Sequence, residues 1–211
     1  MTGPVLNREL RSVSSFLAAN KSEVVVLAFA ALMLTLANYR PLWNHWSSSL
    51  FYYLLLPISM VRIVCRNPLD FGLRMGRVKA WSPYVAVACL LMAPVLIAAS
   101  RFASFQTYYV RDNFDLVQYA ARESVYLLGW EYMFRGFLLF GLKERLKEAS
   151  ILVQALPFVL LHFDKPELET VSTIATGVLF GYIAYRAGSF WPAYFIHLFI
   201  NVFFLALVNL T

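Results

Sequence analysis

The chain is dominated by apolar runs too long and too free of charge for the core of a small soluble domain. The run beginning at Val24 continues to Ala37 without a charged residue, and positions 190–209 contain no Asp, Glu, Lys or Arg. Stretches of this kind read as membrane spans. Seven can be drawn, at about 23–39, 48–65, 80–99, 116–142, 149–163, 169–187 and 190–209. Several fall short of the ~20 residues of an upright span, most of all 149–163, which tilt or re-entrance would accommodate. Lipid offers no partner to an unpaired backbone group, so such segments must be helices or close into a barrel. The runs lack the alternation of a barrel. The sequence therefore predicts an all-α polytopic membrane bundle of about seven helices. A cytoplasmic arm, 1–22, precedes a single membrane domain, 23–211.

Composition agrees: 60% of the 211 residues are hydrophobic and 14% are charged, against ~45–50% and ~25% in soluble domains. The net charge of +6 does not argue for nucleic acid, because the basic residues lie in short clusters beside apolar runs. That distribution belongs to membrane orientation and anionic headgroups. Arg62, Arg66, Arg74, Arg77 and Lys79 follow the second run, "LKERLKE" follows the fourth, and Arg186 ends the sixth. These clusters fall on one side together with the N-terminus, which is predicted cytoplasmic, with the C-terminus external. The stretch 66–79, with Leu69, Phe71, Leu73, Met75 and Val78 among basic residues, reads as an interfacial element. Cys65 and Cys89 form no C-x-x-C pair and indicate neither a disulfide frame nor a thiolate metal site. No small-residue cleavage site follows the first run, which reads as a retained helix.

Against this background several polar residues are out of place. The fourth run carries Glu131 and Arg135, the fifth Phe158 and His162, and the seventh His197 and Asn201, each pair four residues apart and so on one helix face. A charge near the bilayer centre costs ~2.5–3.5 kcal/mol on insertion scales, so such residues are read as functional. The spacing predicts a polar cavity among the last four helices, within the core 116–209. The set is sufficient for hydrolysis. Glu131 can act as general base toward water, His162 can share its proton, and Arg135 can keep the acid oriented. His197 and Asn201 can donate to a tetrahedral oxyanion. Residue by residue, other readings stand: a structural Glu131–Arg135 ion pair, an interfacial His162, and His197–Asn201 as interhelical hydrogen-bond glue. His45, between Trp43 and Trp46, reads as interfacial. One Glu and two His are also the right ligand types for zinc. No H-E-x-x-H occurs, however, and the three come from separate helices, so a route without any cofactor is preferred.

The succession "EYMFRG", "FVLLH" and "HLFIN" resembles the CAAX-protease and bacteriocin-processing (CPBP) family of intramembrane glutamic proteases. That family shows Glu-Glu-x-x-x-Arg, Phe-x-x-x-His and His-x-x-x-Asn in this order. The resemblance runs from about Tyr126 to Asn201, with "GVLFGYIAYRAGSFWPAYFIH" similar to the stretch before the last motif. It implies an intramembrane endopeptidase acting on a membrane-associated protein or peptide, such as a prenylated C-terminus, a bacteriocin leader or a transmembrane sorting tail. The family's first glutamate, its usual catalytic-base position, is Trp130 here. Either Glu131 serves as the base, or the chain is a silent relative acting as an immunity factor, chaperone or adaptor. Glu169 is a candidate replacement acid, although its loop position favours solvation. Gly177 and Gly181 form a small-residue face for close helix packing, and Gly136 relieves crowding beside Arg135. Oligomeric state is not legible.

The charge bias yields a direct test. In a background lacking Cys65 and Cys89, a cysteine replacing Asp164 should react with an impermeant maleimide on intact cells, and one replacing Arg74 should not. The opposite pattern would invert the topology.

Overall fold

Residues 3–64 and 66–210 are described by a computed structural model of the chain. Cys65 lies outside them. The apolar runs become helices joined by short connections: α1 (Gly3–Ala19), α2 (Lys21–Tyr39), α3 (His45–Ser48), α4 (Leu56–Ile63), α5 (Val78–Ala99), α6 (Ala103–Tyr109), α7 (Leu116–Glu131), α8 (Leu139–Leu146), α9 (Ala149–Leu160), α10 (Glu167–Ala187) and α11 (Trp191–Leu210). Two wide π-helical stretches, Ser49–Leu55 and Tyr132–Leu138, link α3 to α4 and α7 to α8. Local chemistry sets several boundaries. Asn44 and Ser47 form a reciprocal capping box at α3. The Asp115 carboxylate accepts from the Gln118 amide at 2.9 Å and starts α7. Gly188, at φ +66°, ends α10 in the left-handed conformation.

Four helices among the described residues are long and apolar enough to cross a bilayer: α2, α5, α10 and α11. The other three of the seven expected runs are not single long helices. The run 48–65 is divided between a π stretch and α4, and 116–142 is interrupted at Tyr132 by the second π stretch. The fifth run yields α9 of only 12 residues. The N-terminal arm, whose composition gave no structural expectation, forms α1.

The site-bearing helix run α7–α8 lies in the middle of the bundle. Every residue of Tyr132–Leu138 is buried. On one side the π stretch Ser49–Leu55 approaches α7 so closely that Ser49 Oγ donates to the Tyr126 carbonyl at 2.6 Å. Gly129 permits this approach, because a Cβ there would run into the Ser49 backbone carbonyl. On another side α11 is tied to α7 by the Tyr194 hydroxyl donating to the Ser124 carbonyl at 3.1 Å. Helix α9 locks onto α10 through buried Gln154, whose Nε2 donates to the Gly177 carbonyl at 2.9 Å. Gly181 leaves the room that this amide occupies. The expected small-residue face thus packs, and its work is to admit a glutamine.

One end of the bundle collects the basic residues. Arg66 pairs with Glu144 at 2.8 Å, Lys143 Nζ donates to the Tyr185 carbonyl at 3.2 Å, and Trp191 Nε1 donates to the Leu73 carbonyl at 3.0 Å. The connection 66–77 is only partly interfacial. Leu69 and Met75 are exposed, whereas Phe71 is buried in the core, with its ring stacked on Phe137 at 6.2 Å.

Gly129→Ala is expected to destabilise the protein by about 1–3 kcal/mol, because backbone rather than a flexible side chain must yield. A fall in the midpoint of thermal unfolding in detergent checks this, with exposed Leu91→Ala as the neutral control.

Candidate active site

Glu131 closes α7, and Arg135 sits inside the π stretch that follows. Both are fully buried. Arg135 Nη1 donates to Glu131 Oε1 at 3.2 Å, and His197 Nδ1 meets the same oxygen at 2.7 Å. Arg135 and His197 therefore converge on one carboxylate. Arg135 is also roofed by an aromatic face: its Cζ lies 3.9 Å from the Phe158 ring centroid and 5.4 Å from that of Phe180. Such cation–π contact compensates a desolvated guanidinium in part. Among the described residues, Glu131 Oε2 and Arg135 Nε and Nη2 have no hydrogen-bond partner.

His162 comes to the same aromatic cluster but not to the acid. Among the described residues, His162 makes no direct hydrogen bond to Glu131. The end of α9 explains this. The His162 amide turns to the Val159 carbonyl at 2.9 Å, in a tightened last turn. That frees the Phe158 carbonyl, which the His162 ring takes through Nδ1 at 2.7 Å. The imidazole packs on Phe158, with centroids 4.6 Å apart, and on Trp130 at 5.9 Å. Trp130, which replaces the family's first glutamate, thus stands against the histidine of the second motif.

Asn201 is bound to a second acid. Its Nδ2 donates to Glu123 Oε1 at 2.7 Å, not toward Glu131. Glu123 was missed in the sequence because it lies beside Arg122 near the start of the run and reads as a solvated end. Its signal was its place eight residues before Glu131, on nearly the same face of an α-helix. Helices α7 and α11 consequently share two acid contacts: His197 with Glu131, and Asn201 with Glu123. Glu169 belongs to neither. Its Oε2 accepts from the Tyr109 hydroxyl at 2.6 Å at the start of α10.

Hydrogen bonding fixes which nitrogens remain available. A carbonyl or a carboxylate can only accept, so Nδ1 carries the proton in both rings, and each neutral histidine keeps its lone pair on Nε2. Both histidines are 8% exposed, whereas Glu131 and Arg135 are at 0%. The imidazoles are the more accessible edge of the site, and the ion pair stands behind them.

Fold and site together define a polytopic helical membrane protein with an acid–base cluster sealed among its spans. The family model described as Rce1-like, type II CAAX prenyl endopeptidase, matches residues 124–203, the part of the chain that holds all five predicted site residues and the motifs that carry the resemblance. No curated protein and no solved structure matches the chain.

Arg135→Ala should cost about 3–5 kcal/mol, because it leaves a buried carboxylate without its cation. Glu131→Gln/Arg135→Ala should cost less than the sum of the single changes. Unfolding midpoints of the four proteins measure the coupling, and strict additivity would show that the pair is not energetically linked.

Proposed function

We propose that this chain is an intramembrane endopeptidase that hydrolyses a peptide bond of a membrane-associated protein or peptide, with a prenylated C-terminus the substrate class that the family description suggests. The observation that supports it most is the 2.7 Å contact of His197 with a carboxylate that Arg135 seals from solvent. In this reading His197 Nε2 takes a proton from water, and Glu131 stabilises the imidazolium through Nδ1. The resulting hydroxide adds to the scissile carbonyl carbon. The imidazolium returns the proton to the amide nitrogen as the C–N bond breaks, giving a carboxylic acid and an amine. Asn201 keeps one amide hydrogen beyond the one given to Glu123, and Trp130 Nε1 is buried with no partner among the described residues. Both are donors for the oxyanion. The reading assigns Glu131 to orientation and charge rather than to direct contact with water, because His197 reaches the surface and Glu131 does not. It needs no resident metal: an arginine already neutralises Glu131, and one histidine only bonds to it.

A second reading rests on Trp130. An indole against His162 leaves that histidine without a carboxylate, and a relative with this change would bind peptides without cleaving them.

Purified protein in detergent, given a fluorogenic prenylated peptide, separates the two. On the first reading the native chain cleaves, and Glu131→Gln lowers kcat by ~10²–10⁴ while the protein stays folded. On the second, the native chain is inactive and Trp130→Glu restores cleavage.

A further inference from the structure

Helix α1 is the one long element that the bundle does not enclose. Val5, Leu6, Leu10, Val13, Phe16 and Leu17 are 44–60% exposed. At 100° per residue they fall on one side of the helix. Arg8, Arg11, Ser12, Ser14 and Ser15 occupy the other side, and the single charge on the apolar side, Glu9, is paired with Arg8 at 3.2 Å. The helix is therefore amphipathic with its apolar face uncovered.

Its attachment limits where that face can lie. One residue, Asn20, separates α1 from the membrane-spanning α2. Its backbone, at φ −123° and ψ 29°, leaves the helical region, so the two helices do not continue as one rod. Asn20 holds the joint from both directions. Its amide and its side-chain Nδ2 donate to the Phe16 carbonyl at 3.0 and 2.9 Å, and its carbonyl accepts from Val24 at 2.9 Å. The end of α1 is thus fixed at the boundary where the span begins.

That boundary is also the basic end of the bundle. Ser22, in the first turn of α2, accepts from Arg66 at 3.5 Å, in the neighbourhood that includes Lys143 and the connection bearing Arg74 and Arg77. Arg8 and Arg11 extend the same charge along α1, and Lys21 begins α2. An apolar face with cationic residues opposite, tethered at a membrane boundary of the same sign, fits an anionic lipid surface.

We infer that α1 lies in the plane of the anionic leaflet at the basic end of the bundle, with Leu6, Leu10 and Val13 among the acyl chains and Arg8 and Arg11 at the phosphates. The helix, about 25 Å long at 1.5 Å per residue, then works as a lateral float beside the spans. This assignment is independent of whether the chain cleaves peptides.

The full chain, with Cys65→Ser and Cys89→Ser, is placed in nanodiscs of phosphatidylcholine and phosphatidylglycerol. Spin labels are attached at Leu6→Cys, Leu10→Cys and Val13→Cys, and on the opposite side at Asn7→Cys, Arg11→Cys and Ser14→Cys. The ratio of collision with oxygen to collision with a water-soluble nickel chelate should be several-fold higher at the first three. Equal ratios on both sides would overturn the proposal. So would apolar-side labels shielded from both reagents, which would show that protein, such as a second copy, covers the face. Replacing phosphatidylglycerol with phosphatidylcholine should raise nickel-chelate access at Leu10→Cys. No change would remove the anionic headgroup from the assignment.

Discussion

The structure depends on a carboxylate that cannot be left alone. Glu131 is fully buried, and a charge in that position is tolerated only if other groups replace its solvent. Arg135 does so from the same helix run and His197 from α11. The guanidinium brings its own desolvation problem, which the faces of Phe158 and Phe180 relieve in part. Four elements are thereby brought into one arrangement: α7 with its π stretch, α9, α10 and α11. The close approach at Gly129 belongs to the same demand, since a side chain of ordinary size would hold Ser49–Leu55 away from the central run.

Trp130 changes the character of this centre. In the family pattern the position carries an acid, and here it carries a broad apolar ring with one N–H. The ring fits an aromatic surround of Tyr53, Tyr126, Phe134, Phe158 and His162. The substitution is accommodated by packing rather than merely tolerated, and the remaining acid is reached by the histidine of the last motif alone.

Much of this was legible in the sequence, and the limits have physical causes. Membrane residence and helical character follow from the hydropathy of runs such as 24–37 and 190–209, because lipid leaves the backbone few choices. The four-residue spacings correctly put Glu131, Arg135 and His197 in one place. Periodicity reports a face and not a partner, however. It could not show that His162 would spend its Nδ1 on the Phe158 carbonyl, or that Asn201 would reach Glu123. Those outcomes depend on how a helix end tightens and on the vertical offset between α7 and α11. Gln154 was missed for a related reason: a lone amide in an apolar run carries no periodic signal, and only the facing Gly177 and Gly181 give it a role. The π stretches have no composition of their own, which is why 48–65 and 116–142 were read as plain spans.

The wide turn at Tyr132–Leu138 has a consequence for how the two halves of the central helix relate. Each residue of an α-helix advances the side-chain direction by about 100°, and accommodating an extra residue in a wide turn shifts the phase of everything beyond it by a comparable angle. Before the stretch the run packs on α11 and on Ser49–Leu55; after it, α8 packs on α9 and α2. The site sits at that change of phase. Losing a single residue between 132 and 138 would shorten the helix by only ~1.5 Å, yet it would turn one half's contact face away from its neighbours. Length in this stretch is therefore a tighter constraint on the chain than the identity of most residues within it.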